Sequence, residues 1–231
     1  MGTVEIIAVT MGIAWASGIN LYATIAMLGI LGTTGNIDLP PDLLILQDPM
    51  VIAAAGFMYI VEFFVDKVPG VDTGWDAIHT FIRIPAGAVL AALAVGELGA
   101  GAELAAAILG GTLAASTHAV KAGSRVMINT SPEPFSNWTA SIVEDLAVVG
   151  GLWLALNHPV VWIGVMLVFI LLLIWLLPKL WRGIRALFRK IGGLFGRRSG
   201  APPPAAGSAD AESAFAAEAS KTIRALDVDR T

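Results

Sequence analysis

Between Pro159 and Pro178 the chain reads PVVWIGVMLVFILLLIWLLP, twenty residues without one ionisable side chain. A stretch of that length and character is what crossing a bilayer as a helix requires, about 20 apolar residues for a hydrocarbon layer of about 30 Å. In lipid every backbone N–H and C=O must be satisfied within the segment, so helices are the only economical solution for such a run. The rest of the chain follows suit. Of 231 residues, 56% are hydrophobic and 14% charged, with a mean hydropathy of +0.77, against about 25% charged in a soluble domain. The expected class is an all-α integral membrane protein.

Six spans are expected, at roughly 4–31, 49–66, 75–96, 102–124, 138–156 and 159–178. Asn157-His158-Pro159 makes a tight turn between the last two, and Gly96–Gly101 reads as a loop or a bend. No Lys or Arg precedes the first apolar run, so MGTVEII reads as the start of a retained span and not as a secretory leader. Cysteine is absent, which excludes disulfides and thiolate metal sites. No phosphate-cradling glycine loop, nucleophile elbow or nucleic-acid signature occurs.

Charge placement gives an orientation. Lys67 and Arg83 flank the second connection, Lys121 and Arg125 begin the fourth, seven basic residues lie in 179–198, and the last three are Lys221, Arg224 and Arg230. The first and third connections carry Asp38, Asp42, Asp48, Glu97 and Glu103. Basic residues stay on the cytoplasmic side, so six spans put both termini in the cytoplasm. The expected domains are a helical bundle over 1–178, a basic amphipathic helix over 179–198 and a flexible tail over 199–231. Lys179, Arg182, Arg185, Arg189 and Lys190 oppose an apolar stripe on that helix, which suits the surface of an anionic inner leaflet. Residues 209–226 hold a weak Ala-rich helix pattern.

Polar residues inside the spans carry the functional signal. His118, Lys121 and Arg125 share a helix face at i, i+3 and i+7, as do Asp76, His79 and Arg83. Glu62 and Asp66 stand one turn apart, Glu144 and Asp145 open the fifth span, and Asn20 and Tyr22 interrupt the first. Intramembrane charges cost about 2.5–3.5 kcal/mol each on insertion scales, so these groups are expected to face inward and pair. Gly111, Ala115, Ala119 and Gly123, with Gly110, Ala114 and Ala122 alongside, make small-residue ridges for close helix packing. Local structural roles compete. Lys121 and Arg125 can snorkel to the surface, Asp72 can be an N-cap, Ser141 and Glu144 match a capping box, and Pro85 can kink its helix. Trp75, Trp138, Trp153, Trp162 and Trp181 read as interfacial belt residues.

Gly12–Ser17 and Gly111–Ser116 match at a spacing of 99 residues, each followed by a Pro-bearing connection (Asp38-Leu-Pro-Pro and Ser131-Pro-Glu-Pro). The match suggests a 3+3 inverted repeat, with Ser17–Asn20 and Ser116–His118 as paired polar breaks.

EFFVDKVPGVDTGWDAIHTFIRIPAGA at 62–88, with SGINLYATIAMLGILG at 17–32, resembles the bacterial family catalogued as domain of unknown function 4126, over roughly residues 3–178. The resemblance implies a multi-pass inner-membrane protein and no particular activity. The functional expectation is a transporter- or channel-like protein for a small polar or anionic solute or a lipid head group. Its pathway would run through Asn20, Glu62, Asp66, Asp76, His79, Arg83, His118, Lys121, Arg125, Glu144 and Asp145, with His79 and His118 titrating. The alternatives are an intramembrane metal site or enzyme on Asp76, His79, His118 and Glu144, and a non-catalytic scaffold. The pattern points away from an enzyme. No cofactor is expected, anionic lipid is the expected partner, and a homo-oligomer is compatible with the sequence.

Overall fold

The computed structural model describes residues 2–130, 134–196 and 215–220. Among the described residues, six long helices form the bundle: α1 (Thr3–Thr33), α2 (Pro49–Val65), α3 (Val71–Leu93), α4 (Ala100–Ile128), α5 (Pro134–Asn157) and α6 (Pro159–Gly196). Short 3-10 helices at Pro41–Gln47 and Gly96–Leu98 sit in the connections. Five of the six are long and apolar enough to cross a membrane. The sixth span, if counted, is α2 together with the 3-10 helix before it, bent by 67°. The chain divides into a compact unit over 1–186 and a second over 187–231. The Ser131–Glu133 connection, most of the tail and the Lys190 side chain lie outside the described residues.

Length alone does not make α1 a crossing. Its helical path is broken at Asn20, where φ is −144° and ψ 96°. The first arm starts near residues 94–98: Ile6, Leu39 and Val95 line one small cavity. The second arm returns to the same level. A Cβ on Gly32 would lie 2.9 Å from Leu39 Cδ1, Gly29 lies against the Leu46 carbonyl, and Asp42 lies against Gly96. In a straight helix Ile6 and Gly32 would stand about 39 Å apart, too far for Leu39 to reach both. α1 is therefore a helical hairpin that enters and leaves on one face, with Asn20 at its buried tip. Such a break is tolerated at membrane depth where protein surrounds it, and α1 is the most buried of the candidate spans.

The other helices wrap this hairpin, held by close approach of backbones. Gly18 lies against Ala114 O and Thr117 Oγ1, and a Cβ on Gly87 would sit 2.6 Å from that of Ala114. Gly110 abuts Ala91, and Gly123 receives Leu180 of α6. Both small-residue ridges of α4 are thus used, one against α1 and α3, the other against α3 and α6. Without a hydrophobic drive between helices in lipid, packing of this kind supplies the cohesion. The residue contacts run α1's first arm parallel to α4 and antiparallel to α3 and α5.

Several sequence expectations change here. α4 is helical from Ala100 to Ile128, so the break at Asn20 has no partner at Ser116–His118. Trp162 is 2% exposed and meets Trp15 edge-on at 5.2 Å; it is core, whereas Trp138, Trp153 and Trp181 are exposed. Ser141 lies inside α5 and caps nothing, because α5 begins at Pro134. Gly70 is the N-cap of α3 at φ 86°, and Asp72 is a buried first-turn residue accepting from Gly70 N and Thr73 N. The last helix continues through Pro178 to Gly196 instead of restarting at 179.

Replacing Gly18 by Leu is expected to lower the melting temperature sharply, since overpacking costs about 1–3 kcal/mol even where side chains can yield and here backbone stands in the way. A Cβ placed on Gly56 would meet nothing within 4 Å, so Gly56→Leu should leave the melting temperature unchanged. Equal melting temperatures for the two variants in detergent would contradict the packing at the hairpin.

Candidate functional site

The charged residues of α2, α3, α4 and α5 gather around the hairpin tip. Lys121 is the hub: Nζ donates to Ile19 O (3.1 Å), Glu62 Oε1 (3.1 Å) and Asp66 Oδ2 (2.8 Å). It also stands 3.6 Å from Glu144 and 3.9 Å from Asp76. On one side Arg83 donates to Glu62 Oε1 (2.6 Å) and Asp76 Oδ1 (3.0 Å). On the other, Arg125 donates to Glu144 Oε2 (2.6 Å) and to the carbonyls of Asp66 and Asn137. Arg83, Arg125, Glu62 and Asp76 are 0% exposed and Lys121 3%. The snorkelling alternative for Lys121 and Arg125 is thereby overturned.

Helix ends add to the field. The break frees Ile19 O at the carbonyl end of the first arm, the negative end of its dipole, and Lys121 takes it. Asn20 Oδ1 accepts from Ala23 N (2.9 Å), capping the second arm, while its amide donates to Asp145 Oδ1 (3.1 Å). A cation thus meets one arm's C-terminus and a carboxylate lies near the other's N-terminus.

Partners constrain one histidine's tautomer. Arg83 can only donate, so His118 Nδ1 accepts from it (3.2 Å) and Nε2 carries the proton, toward Asp76 O (3.1 Å) and Thr80 Oγ1 (2.8 Å). His79 turns away from the ion pairs: Nδ1 donates to Trp75 O, Nε2 shares a hydrogen bond with the Tyr22 hydroxyl (3.0 Å), and the ring stacks on Trp75 at 4.1 Å. No group of three or more His, Asp or Glu among the described residues is arranged to hold a metal ion. His79 has left the proposed metal set, and Arg83 fills the space between His118 and Asp76.

Neutral histidines leave three cations, Arg83, Lys121 and Arg125, against four carboxylates, Glu62, Asp66, Asp76 and Glu144. With every carboxylate ionised, one negative charge is in excess. The buried oxygens Glu62 Oε2, Asp66 Oδ1 and Asp76 Oδ2 have no protein hydrogen-bond donor. At the edge, Lys67 Nζ lies 3.0 Å from the Phe63 ring centre and bonds Phe63 O and Ser141 Oγ; burial holds its ammonium below the usual lysine range.

Sequence reasoning missed Thr80, Asn129 and Asn137. Asn129 Nδ2 donates to Asp72 Oδ1 and Thr73 Oγ1, and Asn137 Nδ2 donates to Asn129 Oδ1, tying α3, α4 and α5 beneath the cluster. The only available signal was an amide at each end of the α4–α5 connection.

Fold and cluster together define a polytopic helical membrane protein with a buried ionic centre. The chain belongs to the family described as domain of unknown function 4126, whose model matches residues 7–179. The matched region contains the whole cluster and ends at the start of the basic part of α6. No curated protein and no solved structure matches the chain.

Arg83→Met should destabilise the protein by about 3–5 kcal/mol, as expected when one partner of a buried pair is removed. Adding Glu62→Met should recover part of that loss. Strictly additive losses in a double-mutant cycle of unfolding in detergent would contradict the pairing.

Proposed function

We propose that this protein is a transporter-like component of the bacterial inner membrane that moves a proton or a small monovalent cation through the carboxylates around the hairpin tip. The observation that carries this reading is the surplus of one carboxylate over the cations of the cluster, with oxygens of Glu62, Asp66 and Asp76 free of protein donors in the buried interior. An excess of carboxylate attracts a cation and repels an anion, so the anionic solute and the lipid head group lose support. The guanidinium facing His118 Nδ1 leaves no place there for a second proton, which favours the carboxylates over His118 as proton carriers. A broken helix whose ends face the charged groups is a recurrent plan for ion sites in transporters. In this reading Asn20, Lys121 and Asp145 hold the tip, and Arg83, Arg125 and Glu144 set the local field.

The same reading reverses one terminus. Lys67, Lys179, Arg182 and Arg185 belong to the face where α2 and α4 end, and Glu5, Asp38, Asp42, Glu97 and Glu103 belong to the face where α1 begins and returns. With basic residues inside, the C-terminal end of α6 is cytoplasmic. Because the hairpin does not cross, counting α2 with its preceding 3-10 helix as one span leaves five crossings, and the N-terminus faces outward. In this cysteine-free chain, Val4→Cys should react with a membrane-impermeant maleimide in spheroplasts, and Arg182→Cys should react only after lysis. The reverse pattern would overturn the orientation.

Purified protein in liposomes under an imposed diffusion potential should pass protons, sodium or potassium above the empty-vesicle rate. Asp76→Asn and Glu62→Gln should cut that flux at least tenfold while the protein stays monodisperse. Flux of all three cations equal to empty vesicles, with folded wild-type protein, would sink the proposal.

A further inference from the structure

The cluster does not hold its four carboxylates equally. Glu62 Oε1 has Arg83 at 2.6 Å and Lys121 at 3.1 Å. Asp66 Oδ2 has Lys121 at 2.8 Å and Arg125 at 3.7 Å. Glu144 Oε2 has Arg125 at 2.6 Å and Lys121 at 3.6 Å, and its side chain is 18% exposed. Asp76 has Arg83 at 3.0 Å and Lys121 at 3.9 Å, both at Oδ1, and it is 0% exposed. Its nearest and its second cation are thus both farther away than those of the other three. Coulomb attraction falls with separation, whereas burial penalises any carboxylate charge. Asp76 combines complete burial with the weakest attraction.

The charges around Asp76 act in the same direction. Arg83, on its own helix, is shared with Glu62 of α2 and makes the shorter bond there. Lys121 of α4 is shared with Glu62 and Asp66, both nearer to it than Asp76 is. Arg125 of α4 is paired with Glu144 of α5. His118 of α4 brings its Nε2 proton to the Asp76 backbone carbonyl and not to the carboxylate. One turn earlier on α3, Asp72 is a buried carboxylate whose Oδ1 accepts only from neutral donors, Gly70 N, Thr73 N, the Thr73 hydroxyl and Asn129 Nδ2. Asp76 Oδ2 has no protein donor at all. A metal cation in this place would need a shell of oxygens in exchange for its water. The Lys121 ammonium already stands at 3.1, 2.8, 3.9 and 3.6 Å from the four carboxylates, so their oxygens close on a fixed cation. A proton needs only one oxygen.

We propose that Asp76 is the proton-binding residue of the cluster, a carboxylic acid that carries its proton on Oδ2 at neutral pH. This role rests on the transport reading above and narrows its cargo from a monovalent cation to a proton. Loading forms the Oδ2–H bond and leaves three carboxylates against the three cations Arg83, Lys121 and Arg125. Release breaks that bond, hands the proton to a water molecule and restores the excess carboxylate, which the two nearby cations stabilise until the next proton arrives.

Infrared spectra of the protein in lipid nanodiscs at neutral pH test the assignment. A protonated carboxyl gives a C=O stretch above the amide band, lowered in deuterium oxide, that an ionised carboxylate lacks. Wild-type protein should show this band. The band should shift when aspartate isotopically labelled at the side-chain carboxyl is incorporated, stay in place when glutamate is so labelled, and vanish in Asp76→Asn. Melting gives a second readout. Asp76→Asn replaces a neutral acid by a neutral amide that keeps an oxygen for Arg83, so it should melt close to wild type. Glu62→Gln removes a carboxylate held by two cations and should melt lower. The proposal is overturned if folded wild-type protein lacks the band, if the band follows labelled glutamate or persists in Asp76→Asn, or if Asp76→Asn melts as low as Glu62→Gln. The transport reading fails separately. An acid band assigned to Asp76, without flux of protons, sodium or potassium, would sink transport and leave the protonated aspartate standing. Sodium or potassium flux without the band would sink the protonated aspartate and leave transport standing.

Discussion

A lysine ammonium deep inside a lipid-embedded bundle has to be neutralised, and Lys121 is neutralised by reaching three acceptors on two elements at once. Glu62 and Asp66 come from the end of α2, and the carbonyl of Ile19 comes from the broken end of the first arm of α1. A continuous helix would consume that carbonyl in its own ladder. The break at Asn20 and the burial of Lys121 therefore depend on each other: the freed backbone group needs a donor, and the buried cation needs another acceptor. This mutual satisfaction fixes the depth to which the hairpin inserts and sets the remaining helices around it.

Once the tip is fixed, packing has little latitude. Gly18 must pass Ala114 and Thr117, and Gly87 must pass Ala114 on the opposite side. These contacts bring α3 and α4 close enough for Arg83 and Thr80 of α3 to reach His118 of α4. Replacing buried ion pairs by apolar residues is often neutral or stabilising, so stability alone gives little reason for the chain to carry seven buried charges with an acid in excess. A functional use for the charge accounts for the arrangement more simply.

The positions of the helices and the convergence of the cluster were legible in the sequence, because both follow from periodicity. Apolar runs mark the helices, and spacings of three, four and seven residues put His118, Lys121 and Arg125 on one face. The hairpin was not legible in the same way. Its two arms have the composition of one long span, and the break occupies a single residue. Asn20 raised the question but did not answer it, since an asparagine bonded within an intact helix looks the same in sequence. The topological consequence followed that ambiguity, because counting α1 as a crossing moves the N-terminus to the other face. Ser141 was misread because α5 begins at Pro134 and not near 138, and boundaries are where pattern reasoning is weakest. Trp162 was misread because its nearness to the helix end suggested a belt residue, whereas its face is turned onto Trp15.

The folded-back α1 is the central claim, and a distance inside the helix tests it most directly. Spin labels on cysteines introduced at Val4 and Ile30, both about half exposed, can be measured by pulsed electron–electron resonance in lipid nanodiscs. A hairpin hinged at Asn20 should place the labels well short of the separation expected for 26 residues of uninterrupted helix. A single distribution centred at that straight-helix value, about 39 Å, would contradict the account.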